Sequence, residues 1–458
     1  MSYNFLPYEQ EQLFLMPPAL QEWVREDSLA HFISEVVEEL GTRGRMGAFY
    51  ARDRADGWGR AAYHPSLMVK VLLYAYSMGL LSSRKIAQAL EQDVAFRFLA
   101  ANQQPDFRTL CTFRSGHREA LEGLFVEVLQ LCREAGLVSL GRVALDGRKV
   151  QGNASLECNR TRVQLEGAEQ RLRESVQQML GEAEAVDAAE DQQYGPQQRG
   201  DELPPDLRRK ETRRKRLQQA IASLQEREKA AQAEQAKRIE ERAAQREAQA
   251  KQRGRRQGGR PLKAAEAVKL PPQTKANTSD PDSRALSTRR GWVQGYNGQA
   301  MVECESQVIV AQQITQEQND VHQLAPMLKR CEAQAGAAPN ELLADAGYWS
   351  EENAALEAQR TELFIAVAAR SAQEKPIESE ARRRMEEKLG SEPGRTTYAQ
   401  RKASVEPVFG QMEMRGLRRF LLRGKEKVQM EWSLWCTTHN LLKLWRAQGR
   451  APRGLAAA

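Results

Sequence analysis

Residues 398–420, YAQRKASVEPVFGQMEMRGLRRF, decide how the rest of the chain is interpreted. The first part of this stretch contains no turn cluster, so it predicts a helix with Tyr398, Lys402 and Glu406 at i, i+4 spacing on one face. Pro407 removes a backbone donor directly after Glu406, which predicts a kink where the carboxylate projects. Taken alone, the pattern is typical of a solvated helix face with an i, i+4 ion pair worth about 0.3–0.5 kcal/mol.

Two further segments each end an apolar run on a single aspartate. VALDGRKV (residues 143–150) predicts a strand that ends at Asp146. ELLADAGYW (residues 341–349) predicts a strand that ends at Asp345, and ligand sites collect at such ends in α/β sheets. Asp-Gly is also common in hairpin turns, and an aspartate after a strand can cap the next helix. Together with Glu406, however, these residues supply the three carboxylates needed to hold two magnesium ions for phosphoryl transfer.

Five phrases of the sequence form a specific combination: LDGRKVQGNAS, ADAGYWSEEN, YAQRKASVEPVFG, GLRRFLLRGKEKV and HNLLKL. In this combination the chain resembles the DDE transposases of bacterial insertion sequences, in the subgroup with a Tyr-Arg-Glu-Lys signature around the third acid. The resemblance covers nearly the whole chain except roughly residues 156–270. It implies that Asp146, Asp345 and Glu406 are the catalytic residues and coordinate two Mg²⁺ ions, with Mn²⁺ able to substitute.

The resemblance also implies the reaction and its partners. The expected activity is metal-dependent cleavage and transfer of DNA strands at the inverted-repeat ends of the element, without a covalent protein–DNA intermediate. The expected partners are double-stranded DNA of the terminal repeats and of the target, and a second copy of the chain when paired ends are bound. A DNA-binding relic without catalysis, or a related metal-dependent endonuclease, is the alternative.

The signature of the subgroup is Tyr-x2-Arg-x3-Glu-x6-Lys, and this chain departs from it twice. Tyr398 and Arg401 match, but four residues separate Arg401 from Glu406. Either Arg401 or Lys402 could therefore supply the cation that binds DNA phosphate. The position of the final Lys is occupied by Glu413, whose charge would repel DNA. The expected result is weaker end binding, unless Arg415 compensates for the lost cation.

Residues 1–135 show helical periodicity and predict a DNA-binding domain through the resemblance. Residues 63–100 predict two helices separated at Gly79, with Ser82 or Ser83 as the second N-cap. This arrangement, with Arg84 and Lys85 on the second helix, is compatible with a helix-turn-helix. Periodicity alone favours a bundle of three or four helices with basic surface residues. The resemblance favours recognition of the terminal repeats.

Residues 156–270 form a basic helical insertion. Residues 207–260 contain eighteen Lys and Arg and seven Glu, a net charge of +11, and the total of +7 leaves −4 for the rest of the chain. The stretch predicts an antiparallel helical hairpin, either an arm that grips the DNA backbone or a solvated coiled coil. The charge favours the arm. GRRQGGRPLK at residues 254–263 contains a fragment typical of a minor-groove hook.

The fold class predicted is α/β, with a ribonuclease-H-like catalytic domain, a helical N-terminal domain and a coiled-coil-like insertion. The domains expected are residues 1–135, residues 136–155 plus 271–446 (catalytic), residues 156–270 and a disordered tail at 447–458. Residues 300–315 predict two paired strands, and Asn319 or Asp320 is expected to cap the next helix. Arg284 and Tyr296 are placed near the site. Residues 376–394 look charged and mobile.

Composition narrows the cellular setting. No run of 18 apolar residues occurs, so no membrane span is expected, and the first residues lack a secretory pattern. Six scattered cysteines without CxxC spacing fit a reducing cytoplasm. His439 and the tryptophans of residues 427–446 are expected to pack in the core. A cytoplasmic, nucleoid-associated bacterial protein is the resulting expectation.

Overall fold

The N-terminal part of the chain is helical wherever the structure describes it. The computed structural model describes residues 19–50, 62–194, 205–253, 264–359, 361–367 and 379–449. The first helices are α1 (Leu29–Thr42), α2 (Gly47–Tyr50), α3 (Pro65–Ser77), α4 (Ser83–Gln92), α5 (Val94–Leu99), α6 (Phe107–Gly116) and α7 (Arg118–Glu134). Residues 63–100 form three helices instead of two, because Asp93 accepts hydrogen bonds from the backbone of Ala95 and Phe96 and starts α5.

The rest of the chain combines strands and helices. The strands are β1 (Arg142–Gln151), β2 (Asn159–Thr161), β3 (Lys275–Asn277), β4 (Arg284–Thr288), β5 (Gly291–Glu303), β6 (Ile309–Thr315), β7 (Glu341–Ala344) and β8 (Glu362–Ile365). The helices are α8 (Arg162–Tyr194), α9 (Pro205–Arg253), α10 (Leu324–Ala335), α11 (Glu351–Ala354), α12 (Glu380–Gly390), α13 (Glu392–Met414) and α14 (Lys425–Ala447).

Six of these strands form one mixed sheet in the order β4-β5-β1-β7-β8, with β6 also paired to β5. β5 is antiparallel to β1, β4 and β6, whereas β7 is parallel to β1 and to β8. The strands β5 and β6 confirm the predicted hairpin. The coarse α/β class is confirmed by this sheet and its surrounding helices.

Several boundaries differ from the sequence predictions. β1 continues past Asp146 to Gln151, because β5 pairs with it over that whole length, so Asp146 does not end a strand. Residues 380–390, which lie within the stretch expected to be mobile, form α12. The Gly/Arg-rich residues 254–263 and the tail at 450–458 lie outside the described residues.

The insertion forms a helical pair with its own small core. α8 packs against α9, and Leu165, Leu217 and Leu224 are buried between them. β2 and β3 pair antiparallel, with Asn159 opposite Asn277, and join the two ends of the insertion. This short ladder fixes where the helical pair leaves the sheet domain.

α14 covers one face of the sheet and contacts α7 and β6. Trp432 and Trp435 are completely buried, which confirms that they belong to the core. Asn440 binds both backbone groups of Ile309 at 2.8 Å. His439 is buried with Nε2 2.9 Å from the carbonyl oxygen of Gln307. Among the described helices, none is long and apolar enough to cross a membrane.

Candidate active site

Asp146 and Asp345 lie side by side on neighbouring parallel strands. Leu145 of β1 pairs with Ala344 of β7, so the residues that follow them occupy adjacent positions. Asp345 accepts a hydrogen bond from the Gly347 backbone at 2.9 Å and caps a short 3₁₀ turn. Asp345 therefore caps a turn, which was one of its two interpretations from the sequence, and it also lies beside a second carboxylate.

Arg401 of α13 connects Asp146 to Glu406. One guanidinium nitrogen lies 3.2 Å from Asp146 Oδ2, and the other lies 3.4 Å from Glu406 Oε1. The Arg401 side chain is only 9% exposed, whereas that of Glu406 is 54% exposed. The sequence left open whether Arg401 or Lys402 accompanies the acid. The structure brings Arg401 into the site and leaves Lys402 exposed.

Tyr398 lies near Arg401, close enough for a side-chain hydrogen bond. Burial raises the pKa of the Tyr398 hydroxyl, and the Arg401 charge opposes that shift. The hydroxyl therefore stays protonated at neutral pH. It can donate a hydrogen bond to an anion.

α13 continues through Pro407 because another element replaces the missing helical hydrogen bond. Pro407 has no N–H to donate to the carbonyl group of Ala403, four residues earlier. Gln307, in the β5–β6 turn, donates its side-chain amide to that carbonyl oxygen at 3.0 Å. The backbone carbonyl oxygen of Gln307 also lies 2.9 Å from Nε2 of His439 on α14. Gln307 therefore links α13 to α14 directly beside the segment that carries Glu406.

Asp320 is a fourth acid of the site that the sequence analysis missed. Its Oδ1 accepts hydrogen bonds from Asn297 at 2.7 Å and from Gln299 at 2.6 Å. Asp320 occupies the N-cap position of the following 3₁₀ turn, but its side chain makes no capping hydrogen bond there. Burial raises the pKa of the Asp320 carboxyl, with a further contribution from Asp345. The available sequence signal was Asn297 and Gln299, two buried polar residues at alternate positions of β5.

The acids strongly perturb one another. Burial raises the pKa of Asp146 to about 6, the neighbouring Asp345 charge adds to this effect, and Arg401 opposes it. Desolvated carboxylates in one cluster repel each other unless a cation lies among them. The cluster therefore favours binding of a cation.

These residues line a cleft of about 810 Å³ that also contains many cations. Its acids are Asp146, Asp320, Asp345, Glu406 and Glu413, and its arginines are Arg148, Arg289, Arg290, Arg401 and Arg418. Arg289, Arg290 and Arg418 are exposed. An acidic centre with exposed arginines suits a polyanionic substrate that reacts at the centre.

Glu413 is neutralised by a residue that the sequence analysis did not consider. It forms an ion pair with Arg148 of β1 within the cleft. Arg415, which could have compensated for Glu413, instead has its two terminal nitrogens buried, and its guanidinium lies 5.6 Å from the Trp435 ring. The expected repulsion of DNA by an unpaired Glu413 is therefore corrected: its charge is offset by Arg148.

Four other residues singled out from the sequence do not line the cleft. Tyr296 donates a hydrogen bond to Asp280 at 2.8 Å and Arg284 donates one to the Pro281 carbonyl at 2.7 Å, so these two residues stabilise a buried turn. They belong to the strands β5 and β4, of which other residues line the cleft. Arg84 and Lys85 are exposed on α4 and do not line it either.

The donor set fits a hard divalent cation. Asp146 and Asp345 offer carboxylate oxygens, the ligands that Mg²⁺ prefers, in a buried cluster that lacks sufficient positive charge. Among the described residues, no three acidic, histidine or cysteine side chains converge closely enough to hold a metal ion as they stand. Glu406 is held by Arg401, so it would join the aspartates only after a local rearrangement of that ion pair.

A mixed sheet flanked by helices, with clustered carboxylates in an arginine-lined cleft, is compatible with an enzyme that processes nucleic acids. Comparison with known families agrees. Residues 18–116 match the family described as "Transposase domain (DUF772)", and residues 365–445 match the family described as "Transposase DDE domain". Both regions thus match transposase families, which supports an insertion-sequence DDE transposase, and transposases act on DNA.

The two matched regions bear unequally on the site. The second region contains Tyr398, Arg401 and Glu406, whereas Asp146 and Asp345 lie outside both regions. No curated protein and no solved structure matches the chain. The role of the two aspartates therefore depends on the geometry described above.

Proposed function

We propose that this transposase cleaves and transfers DNA strands at the inverted-repeat ends of its element, with Asp146, Asp345 and Glu406 as the catalytic acids. The observation that carries the proposal is the adjacent placement of Asp146 and Asp345, with Arg401 joining Asp146 to Glu406. The match to the Tyr-Arg-Glu-Lys subgroup, through Tyr398 and Arg401, belongs to the same proposal.

The ribonuclease-H-like assignment of the catalytic domain is supported by strand order. Along the sheet, β6, β5 and β1 are antiparallel neighbours, and β7 and β8 follow on the other side of β1 in parallel. If β4, which pairs with Gly291–Gly295 at the start of β5, is left out, these are the third, second, first, fourth and fifth strands in chain order. Its two aspartates lie where the antiparallel half meets the parallel half.

The chain's own residues suggest how the site works. Asp146, Asp345 and Glu406 would hold two divalent cations, Mg²⁺ or Mn²⁺, which when bound activate the attacking hydroxyl and stabilise the leaving oxygen. Arg401 keeps Asp146 ionised against the effect of burial. Once released from the acids, Arg401 would bind a DNA phosphate together with Tyr398 and Lys402. Asp320 stays fixed by Asn297 and Gln299 and adds negative charge beside Asp345.

The DNA would extend beyond the cleft onto the helical parts. Arg209, Arg213 and Arg216 of α9 line one groove of about 500 Å³ beside Ser279, which favours a DNA-gripping arm over a purely structural coiled coil. We assign terminal-repeat recognition to residues 1–135, with Arg84 and Lys85 as contacts, and catalysis to residues 136–155 plus 271–446. The insertion comprises residues 156–270, and the tail comprises residues 447–458. We expect the chain to act as a homodimer on paired ends. We expect it to do so at the bacterial nucleoid.

The test is cleavage of a duplex that carries the element's inverted repeat and its flank, with Mg²⁺ present or absent. Wild type should nick at the repeat boundary only with metal, and Glu406→Gln should reduce the rate at least about 100-fold. Glu413→Gln is the matched control, because it removes a carboxylate of the same helix that is paired with Arg148. It should retain cutting.

The outcomes separate the rival functions. Repeat-specific binding without cutting by the wild type, in Mg²⁺ or Mn²⁺, would leave a DNA-binding relic. Cutting without joining to a second duplex would identify an endonuclease. Equal loss of activity in Glu406→Gln and Glu413→Gln would remove the special role of Glu406.

A further inference from the structure

A second pocket lies where the ends of α3, α13 and α14 meet, lined by residues separate from those of the acidic cleft. It has a volume of about 400 Å³, and its walls include Leu29, Met78, Met414, Leu442 and Trp445. Met78 is 55% exposed and Met414 is 72% exposed, whereas Trp445 is buried. The pocket therefore combines an accessible apolar side with an enclosed interior, as small-molecule sites do.

The charged residues of this pocket are all cationic. Arg415 comes from the end of α13, and Lys443 and Arg446 come from successive turns of α14. Burial lowers the pKa of Lys443 to about 8 and that of Arg415 to about 10, and in both cases Arg446 adds to the shift. No carboxylate lies among the lining residues that the structure describes. Lys443 donates a hydrogen bond to the side chain of Gln307 at 2.7 Å, but no carboxylate among the described lining residues balances the positive charge of the pocket.

The same region collects hydrogen-bond donors without acceptors. Nine buried side-chain nitrogen or oxygen atoms lack a partner in the part of the chain that the structure describes, and four of them belong to residues that line this pocket. They are both terminal nitrogens of Arg415, Nε of Arg446 and the indole nitrogen of Trp445. Each unsatisfied buried donor is costly, and all four are donors only. An anion could accept from such groups, whereas a neutral apolar molecule could not.

We propose that this pocket binds a small organic anion whose carboxylate, sulfonate or phosphate group contacts Lys443 and Arg446 and whose apolar body packs against Met78, Met414 and Leu442. The apolar walls and the limited volume favour such a molecule over a nucleic-acid backbone, which needs an extended basic groove. The site is independent of the proposed catalytic function, because none of its residues lines the acidic cleft.

The test compares two fluorescent probes on the full chain. 1-Anilinonaphthalene-8-sulfonate has a sulfonate on an apolar body, and N-phenyl-1-naphthylamine has the same body without the charge. Wild type should bind one equivalent of the anionic probe at least tenfold more tightly than the neutral one. Lys443→Gln and Arg446→Gln should each weaken the anionic probe at least fivefold and leave the neutral probe unchanged. The matched control Lys427→Gln, an exposed cation of the same helix, should change neither.

Leu442→Trp adds a second test that keeps every charge, because it fills the pocket and should weaken both probes. Competition then distinguishes sources of the anion. Displacement by free dodecanoate indicates a soluble ligand, and displacement only by phosphatidylglycerol vesicles indicates a lipid headgroup; either result supports the site. Equal affinity for the two probes, or unchanged binding of the anionic probe in correctly folded Arg446→Gln, would overturn the proposal.

Discussion

Glu431→Gln should change how stability depends on pH. Glu431 lies on α14, is completely buried, and accepts hydrogen bonds from the backbone of Leu421 and Leu422 at 2.9–3.1 Å. Burial raises the pKa of its carboxyl from 4.5 to about 7, although the two backbone hydrogen bonds oppose this. Glutamine has nearly the same shape, keeps one oxygen as acceptor and cannot ionise.

The sign follows from the direction of the shift. Because the folded protein holds the Glu431 proton more tightly than the unfolded chain does, its stabilising contribution is complete below about pH 4.5. The contribution is lost as pH rises through about 7. These two pKa values predict that the free energy of unfolding of wild type falls by about 2–3 kcal/mol, relative to Glu431→Gln, between about pH 5 and about pH 8.

Urea unfolding of both proteins, followed by circular dichroism across this pH range, measures that difference. Other buried acids also titrate, but they are common to both proteins and cancel in the comparison. Glu305→Gln, at an exposed position, is the control and should differ from wild type by a constant amount. A constant difference between wild type and Glu431→Gln would refute the argument, as would a variant that loses relative stability at high pH.

Three further predictions concern Gln307, Gly79 and Asp320. Gln307→Ala should cost about 1–3 kcal/mol by urea unfolding, and clearly less in a Pro407→Ala background, where a helical N–H replaces the lost donor; equal costs would contradict the linkage. Gly79→Ala should destabilise by at least about 2 kcal/mol, because φ is +74° and a Cβ would lie 2.0 Å from the Arg415 carbonyl oxygen; an unchanged melting temperature would disprove this. Asp320→Asn should weaken Mn²⁺ binding about 10–100-fold by calorimetry, and unaltered affinity would exclude Asp320 from the metal environment.

The local structure of the catalytic elements followed from local chemistry. The apolar runs before Asp146 and Asp345 predicted strands. The absence of a turn cluster in the first part of residues 398–420 predicted the part of α13 that carries Glu406. The alternation of residues 300–315 predicted the β5–β6 hairpin. These features depend on side chains within a few positions of each other, and propensity and periodicity report such short-range preferences.

The interaction partners of the charged residues could not be predicted from short-range sequence preferences. Helical spacing placed Lys402 next to Glu406, but packing of α13 turns Arg401 toward Asp146 and leaves Lys402 in solvent. Asp320 had the pattern of a helix cap, yet the side chains of β5 draw its carboxylate into the site. In both cases a contact with a residue distant in sequence, and not the local preference, determines where the side chain lies.

By itself, then, the sequence determined the strand that carries Asp146, the strand that leads to Asp345 and the helix that carries Glu406, because these depend on neighbours along the chain. Only the tertiary structure decided that Arg148 neutralises Glu413, that Gln307 replaces the hydrogen bond lost at Pro407, and that Arg415 is buried in a cationic pocket. Those interactions join residues far apart in sequence. Their geometry is set by how the helices dock on the sheet, because the burial of apolar faces fixes the rotation of each helix.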